Sequence, residues 1–274
     1  MEIHQPRLRQ SVTAIILSWP DVEARGQAIV NELASSVDEI ITLTNSAGNS
    51  TKAQNGCVNL GKEAFFTKKF QHCKDVNPDH VLLMIAADSV STNWAELAKA
   101  VRQAFEQHKE LGIWAPTNEG TPWKGQRTIL PVARISDHLT ESTVVDSIVW
   151  AISPALRPHI FQLHFGENKY GWGIETLVAC QAHRLGFRVV VDQNQVIGHV
   201  QGSAYSQRDA EIEELELLKG LKIDLRLLLA AAQRKLRITK RAERTGSTVL
   251  IRVEQKFLGA VFEIFRQFGR TRRV

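Results

Sequence analysis

Three residues in this sequence stand where a side chain could do chemistry. Glu175 lies in "GWGIETLVACQAHRLGFRVVVD" (171–192), just after a Trp-Gly turn and at the opening of an apolar helical pattern. Two readings compete there. A carboxylate in a first helical turn gains ~0.3–1 kcal/mol from the positive end of the helix. The same turn can also hold a general base at the mouth of a site. Asp88 ends the apolar run "VLLMIAADS", and a carboxylate at the tip of a buried strand can hold a divalent cation. It can equally cap the turn or the next helix, with Ser89 and Thr92 as rival caps. His199 follows Gly198 and precedes Gln201-Gly202, where an imidazole can ligate a metal and glycines permit close backbone approach. Its commonplace role is a packed or surface histidine. His159 and His164 have no comparable setting and are read as structural.

The elements that must position these residues follow from apolar periodicity. "VTAIILSW" (12–19), "DEIITLT" (38–44), "DHVLLMIAADS" (79–89), "LGIWAPTN" (111–118), 143–152, "FRVVVD" (187–192) and "NQVIGHV" (194–200) read as strands. Helical spacing covers about 20–36, 62–73, 94–108 and 174–185, with a short helix in "PALRPHIF". Strands alternating with helices predict an α/β fold with a mostly parallel sheet flanked by helices on both faces. In such sheets ligands sit beyond the carboxyl ends of the strands, which points to Trp19, Thr44 and Asp88. From about Gln207 the pattern turns wholly helical. The expected organisation is a catalytic domain over 1–206 and a helical, basic, amphipathic extension over 207–274.

Several motifs in order resemble the family-2 glycosyltransferases of the bacterial polysaccharide type. They are the opening strand, "NLG" (59–61), "VLLMIAADS", "YGWGIETLVACQAHRLGFRVVVD" and "VIGHVQG", together spanning about Val12 to Ser206. The resemblance implies a GT-A (nucleotide-diphospho-sugar transferase, Rossmann-like) fold. It also implies a hexosyltransferase-like activity that moves a sugar from a nucleotide-sugar donor to a glycan or lipid-linked acceptor hydroxyl, with inversion. In that family the last acid of the Trp-Gly segment is the general base, which maps onto Glu175. Asp88 and His199 map onto a site for a divalent metal, Mg²⁺ or Mn²⁺, that absorbs charge on the leaving diphosphate. Ser18, Trp19, Thr44, Asn59, Gly61, Asp88, Trp172 and Gly173 map onto the nucleotide-sugar pocket, with Asp21 in the first turn. Trp172 and Trp123-Lys124-Gly125 are candidate sugar platforms. The chain departs from the family at Ala86 and Ala87, where two or three acids are usual, and at Thr44, where many relatives carry Asp.

Three other readings weigh against this one. A nucleotidyltransferase needs a Gly-rich, basic loop after the first strand, and "SWPDVEARG" is poor in glycine. A catalytically degenerate glycan-binding or scaffold protein would explain Ala86-Ala87. Nucleic-acid binding would draw on the charge, but that charge is local. Residues 234–274 carry 12 Lys/Arg against 3 Asp/Glu, a net of +9, so the remainder is net −4 within the overall +5. In that tail Phe257, Val261, Ile264, Phe265 and Phe268 share one helical face, opposite Lys256, Arg266, Arg270, Arg272 and Arg273. An apolar-basic helix suits a membrane surface or a homo-oligomer better than nucleic acid; its ordinary alternative is a helix packed back on the domain. Three scattered cysteines without a CxxC pair indicate neither a zinc ribbon nor a disulfide framework. No apolar run approaches the ~20 residues of a membrane span, and the N-terminus lacks a signal-peptide core. The expected location is cytoplasmic, with peripheral contact to the inner face of the membrane.

Overall fold

The computed structural model describes residues 9–46, 56–119, 131–199 and 205–221, with positions 260, 264 and 267. The strands are β1 (Val12–Leu17), β2 (Glu39–Thr44), β3 (Cys57–Asn59), β4 (Val81–Ala86), β5 (Ser89–Ser91), β6 (Leu111–Glu119), β7 (Pro131–Arg134), β8 (Leu139–Ser142), β9 (Val149–Ile152) and β10 (Arg188–His199). The helices are α1 (Glu23–Leu33), α2 (Phe66–His72), α3 (Trp94–Gln107), α4 (Arg157–Ile160), α5 (Ile174–Arg184) and α6 (Gln207–Lys219). A short 3-10 turn at Pro20–Val22 leads into α1.

All described strands form one sheet in the order β3-β2-β1-β4-β9-β6-β10-β8-β7, with β5 paired to β10. β5, β8 and β9 run against the other seven. The mostly parallel α/β architecture expected from the sequence is therefore present. Burial on both faces explains the unbroken apolar strands. Val12, Ala14 and Ile16 of β1 face one core with α1 and α3; Ile15 and Leu17 face the other, with α2 and α5. Trp114 and Trp150 sit fully buried on opposite faces.

Two strand assignments change. The run 143–152 is a strand only over Val149–Ile152, lying antiparallel between β4 and β6. Asp146 breaks it, because its Oδ1 accepts the Ile148 N–H at 3.0 Å in a local turn. The two runs 187–192 and 194–200 join into the single 12-residue strand β10. That strand absorbs a register shift between Asp192 and Val196, where Asp192 Oδ1 accepts the Asn194 N–H at 3.0 Å. The β7–β8 hairpin and the short β3 and β5 have no counterpart in the apolar periodicity. α6 starts at the N-cap Ser206, whose Oγ accepts the Asp209 N–H, and it packs on the 169–173 segment.

Candidate active site

The sheet's directions converge the candidate residues on one edge. β1, β2, β4, β6 and β10 share one direction, so Trp19, Thr44, Asp88 and His199 all lie at or just past carboxyl ends. α5 turns tightly into β10 through Gly186, which places its N-terminus, and Glu175 with it, toward the same edge.

Asp88 occupies the tight turn between β4 and β5. It does not cap α3: Asn93 does, with Oδ1 accepting the Glu96 N–H at 3.0 Å. Ser89 and Thr92 do not cap it either. Instead Asp88 Oδ2 lies 2.7 Å from His199 Nε2, with both side chains buried. The cause is strand pairing across 111 residues, since β5 runs antiparallel to β10 with His199 opposite Ser89 and Gly198 opposite Val90. A side chain at Gly198 would place its Cβ 3.0 Å from Val90 Cγ2, so glycine lets the β5 turn lie close on β10. Asp88 Oδ1 is buried with no hydrogen-bond partner among the described residues. A buried, unsatisfied carboxylate oxygen is costly. Arg25 of α1 reaches the Asp88 carbonyl at 3.4 Å.

This donor set fits a divalent cation. As they stand, His199 Nε2 is hydrogen-bonded to Asp88 Oδ2; parted from each other, the carboxylate and the imidazole could supply two ligands, and Mg²⁺-type ions take the rest from phosphates and water. Among the described residues no group of three His, Cys, Asp or Glu side chains gathers to form an all-protein cage. Ala87 is fully buried and faces Gly26 of α1, whereas Ala86 is half-buried. Of the two alanines before Asp88, only Ala86 is therefore partly exposed.

Just before Glu175 the backbone turns tightly against its own core: a Cβ on Gly173 would lie 3.0 Å from Glu214 Cγ of α6. Gly171 and Gly173 have φ of +90° and +85°, and a Cβ on Gly171 would fall 2.3 Å from Phe66 Cδ1. Asn168 closes the turn, its Oδ1 accepting the Gly171 N–H at 2.7 Å and its Nδ2 donating to the Trp172 carbonyl at 2.8 Å. Glu213 of α6 accepts the Lys169 and Tyr170 N–H groups at 2.8 and 3.1 Å. Glu175 is half-buried in the first turn of α5 and accepts from Thr176 Oγ1 at 3.4 Å. The Trp172 indole N–H donates to Tyr205 Oη at 2.9 Å, and Tyr205 stacks on Tyr170 at 4.4 Å.

This arrangement was compared with known proteins. No protein-family model matches the chain, and no curated protein matches it by sequence. Solved structures do match in three dimensions. GalNAc-T7 with UDP, GalNAc and Mn²⁺ aligns at a TM-score of 0.52 and 11% identity, covering 93% of this chain and 55% of that one. S. aureus TarS 1-349 aligns at 0.50 and 13% identity, covering 94% and 92%. A longer S. aureus TarS aligns at 0.50 and 13%, covering 90% and 55%. The chain thus spans little more than half the length of GalNAc-T7 and of the longer TarS. It has the GT-A fold.

The remaining candidates among the described residues lie at the ends of β1, β2 and β3. Ser18 is buried, with its Oγ against α1 at Gly26 and its N–H donated to the Leu43 carbonyl at 2.9 Å. Thr44 is buried too, its hydroxyl 3.0 Å from Ser46 Oγ, which in turn donates to Glu23 at 2.8 Å. Asn59 Oδ1 accepts the Gly61 N–H at 3.0 Å, and Gly61 takes a φ of +82° that few other residues adopt. Those two shape a turn. Trp19 is half-buried at the end of β1. Trp123, Lys124 and Gly125 lie outside the described residues, as does the basic tail apart from Ala260, Ile264 and Gln267.

One residue at this edge escaped the sequence reading. Lys69 of α2 is buried, and its ammonium donates to the Ser18 carbonyl at 2.6 Å and to Asn45 Oδ1 at 3.3 Å. It lies 5.9 Å from the centroid of the Trp19 ring. Desolvation pulls its pKa down to about 8. A signal was present: Lys69 shares the apolar face of Phe66, Phe70 and Cys73, a position that amphipathicity reserves for hydrophobes.

Proposed function

We propose that the protein is a nucleotide-sugar-dependent glycosyltransferase of the family-2 type, moving a hexose to a glycan or lipid-linked acceptor hydroxyl with inversion. The observation that carries this reading is the buried Asp88–His199 pair, 2.7 Å apart at the carboxyl edge of a GT-A sheet, with Asp88 Oδ1 unsatisfied. Those two side chains would hold a Mg²⁺ or Mn²⁺ ion. When bound, such an ion neutralises charge that builds on a leaving diphosphate. Glu175 takes the proton of the acceptor hydroxyl through its carboxylate, while Gly171 and Gly173 let the turn that precedes it pack closely on Phe66 and on Glu214 of α6. Trp172 offers an aromatic face to a sugar ring, held in orientation by its indole bond to Tyr205. Trp19, Ser18, Thr44, Asn59 and Gly61 form the wall and floor of the nucleoside pocket. Residues 1–206 are the catalytic domain in this reading and 207–274 an extension.

A second reading has its own observation. Asp88 stands without neighbouring acids at Ala86 and Ala87, as a degenerate, glycan-binding relative would have it. A panel of nucleotide sugars separates the two. The purified protein should hydrolyse at least one donor slowly in Mn²⁺ and much less in EDTA, and Asp88→Asn should lose most of that hydrolysis. Glycan binding without donor turnover, in any metal, would favour the degenerate reading.

A further inference from the structure

A lysine buried at the edge where nucleotides are expected raises the question of its counter-charge. Lys69 is 4% exposed, and an ammonium in such a setting normally faces a carboxylate. None lies within ion-pair distance among the described residues. Its partners are neutral: the Ser18 carbonyl, the Asn45 amide oxygen and the Trp19 ring. Of the charged groups on the packed elements, Asp21 in the turn after Trp19 is exposed, and the others have partners of their own. Glu23 of α1 accepts from Ser46 at 2.8 Å, Arg25 lies on the Asp88 carbonyl, Asp88 holds His199, and Lys68 donates to the Leu60 carbonyl at 3.2 Å.

We infer that Lys69 is an anion-binding residue of the donor site, its ammonium taking a phosphate oxygen of the nucleotide. The inference rests on the nucleotide-sugar reading and adds to it a positive group on the β1–β2 side, apart from the Asp88–His199 pair on the β4–β10 side, where a divalent ion would bind. The geometry supports it in three ways. The ammonium sits at the carboxyl ends of β1 and β2, the edge at which sheets of this type receive ligands. Its 2.6 Å bond to Ser18 anchors it to the strand end. The 3.3 Å contact with Asn45 is long and is the one an anionic oxygen would replace. Burial makes the charge expensive without a ligand and holds the pKa near 8, so an arriving anion both pairs the charge and restores its proton. Binding should therefore take up a proton where the free lysine has begun to lose one.

Calorimetry on the full-length protein tests this with inorganic pyrophosphate, a panel of nucleoside diphosphates (UDP, CDP, GDP, ADP, dTDP) and the matching nucleosides. For the parent, diphosphate affinity should fall between pH 7 and pH 9, and binding at pH 8.5 should take up a proton that binding by Lys69→Arg does not. Lys69→Met should weaken diphosphate and pyrophosphate binding at pH 7 at least tenfold, well beyond any loss in nucleoside binding, and abolish the extra proton uptake. Lys69→Arg, which keeps the charge but does not titrate in this range, should recover affinity without the pH dependence. A Met variant that binds as the parent does, with the same proton uptake, overturns the inference while leaving the nucleotide-sugar reading intact. A parent that binds pyrophosphate but no nucleotide, with Lys69→Met losing that binding, upholds the anion site and sinks that reading. A parent that binds neither overturns the inference.

Discussion

Lys69 has a cost that stability measurements can read. Its pKa is about 8 in the fold against 10.5 in an exposed lysine, so between those values the unfolded chain binds a proton that the folded chain has released. Stability therefore rises with pH from about 8 to about 10.5 and is lower at neutral pH. Lys69→Met removes the buried charge, and should raise unfolding stability at pH 7 by roughly 2–3 kcal/mol and flatten that rise. Urea unfolding of parent and variant at pH 7 and pH 10 checks it; a variant less stable than the parent at pH 7 would mean that the bond to Ser18 matters more than desolvation. The same residue shows what the sequence could reveal. Asp88, His199 and Glu175 were legible because each closes or opens an apolar run, which fixes it to an element's end. For Lys69 only its place on an apolar helical face was legible; its partners were not, because they depend on β1, the segment after β2 and α2 meeting. The environment of Thr44 was hidden for a similar reason: its hydroxyl meets Ser46, which is tied to α1 by Glu23.

At the level of elements, the strand that carries Asp88 depends on a buried clip. Arg157 at the start of α4 donates through Nη1 to the carbonyls of Asn77 and His80, and through Nη2 to those of Cys73 and Val76. It thereby ties down the connection from α2 into β4, adding a second donor to the Cys73 and Asn77 carbonyls, which also accept from the Val76 and His80 N–H groups. Burial pushes its pKa down, although the guanidinium remains charged. A lysine cannot span four acceptors in a plane. Arg157→Lys should cost about 2–4 kcal/mol and lower the Tm by several degrees. Thermal melts of the variant test this, and an unchanged Tm would show that the connection is held by other contacts. Apolar runs made β1, β2, β4, β6 and α3 plain in the sequence. The antiparallel β9 and the union of two runs into β10 were not plain, because periodicity carries no strand direction and a bulge looks like a break. The Asp88–His199 meeting depends on that union: β10 must continue past Asp192 to bring His199 opposite Ser89.

Across the whole molecule the charge divides between a mildly acidic body and a tail of net +9 over residues 234–274. Among the described residues no helix is long and apolar enough to cross a membrane. Ala260, Ile264 and Gln267 are helical and exposed, Ile264 to 54%. We expect the tail to bind anionic membranes or to join copies of the chain, since an apolar stripe beside clustered arginines gains from both burial and charge. Truncation before Gln255 should leave donor hydrolysis intact while reducing sedimentation with phosphatidylserine-containing liposomes or shifting the mass seen by light scattering. Retention of both properties would make the helix a plain part of the fold. The GT-A architecture itself was readable because five modest motifs fall in order along one chain. Donor, nucleoside and acceptor were not, because they depend on loop shape more than on periodicity.

The most direct test of the proposed chemistry is turnover by Glu175→Gln, measured with the donor that the parent hydrolyses or transfers. Glutamine keeps the size and much of the hydrogen bonding of Glu175 but cannot accept a proton. A positioned base typically contributes ~10²–10⁴-fold in rate, so turnover should fall by that much while nucleotide affinity and Tm stay close to the parent. Full turnover with a Tm lowered by a degree or two would contradict the proposal, and would leave Glu175 as a carboxylate serving only the positive end of α5.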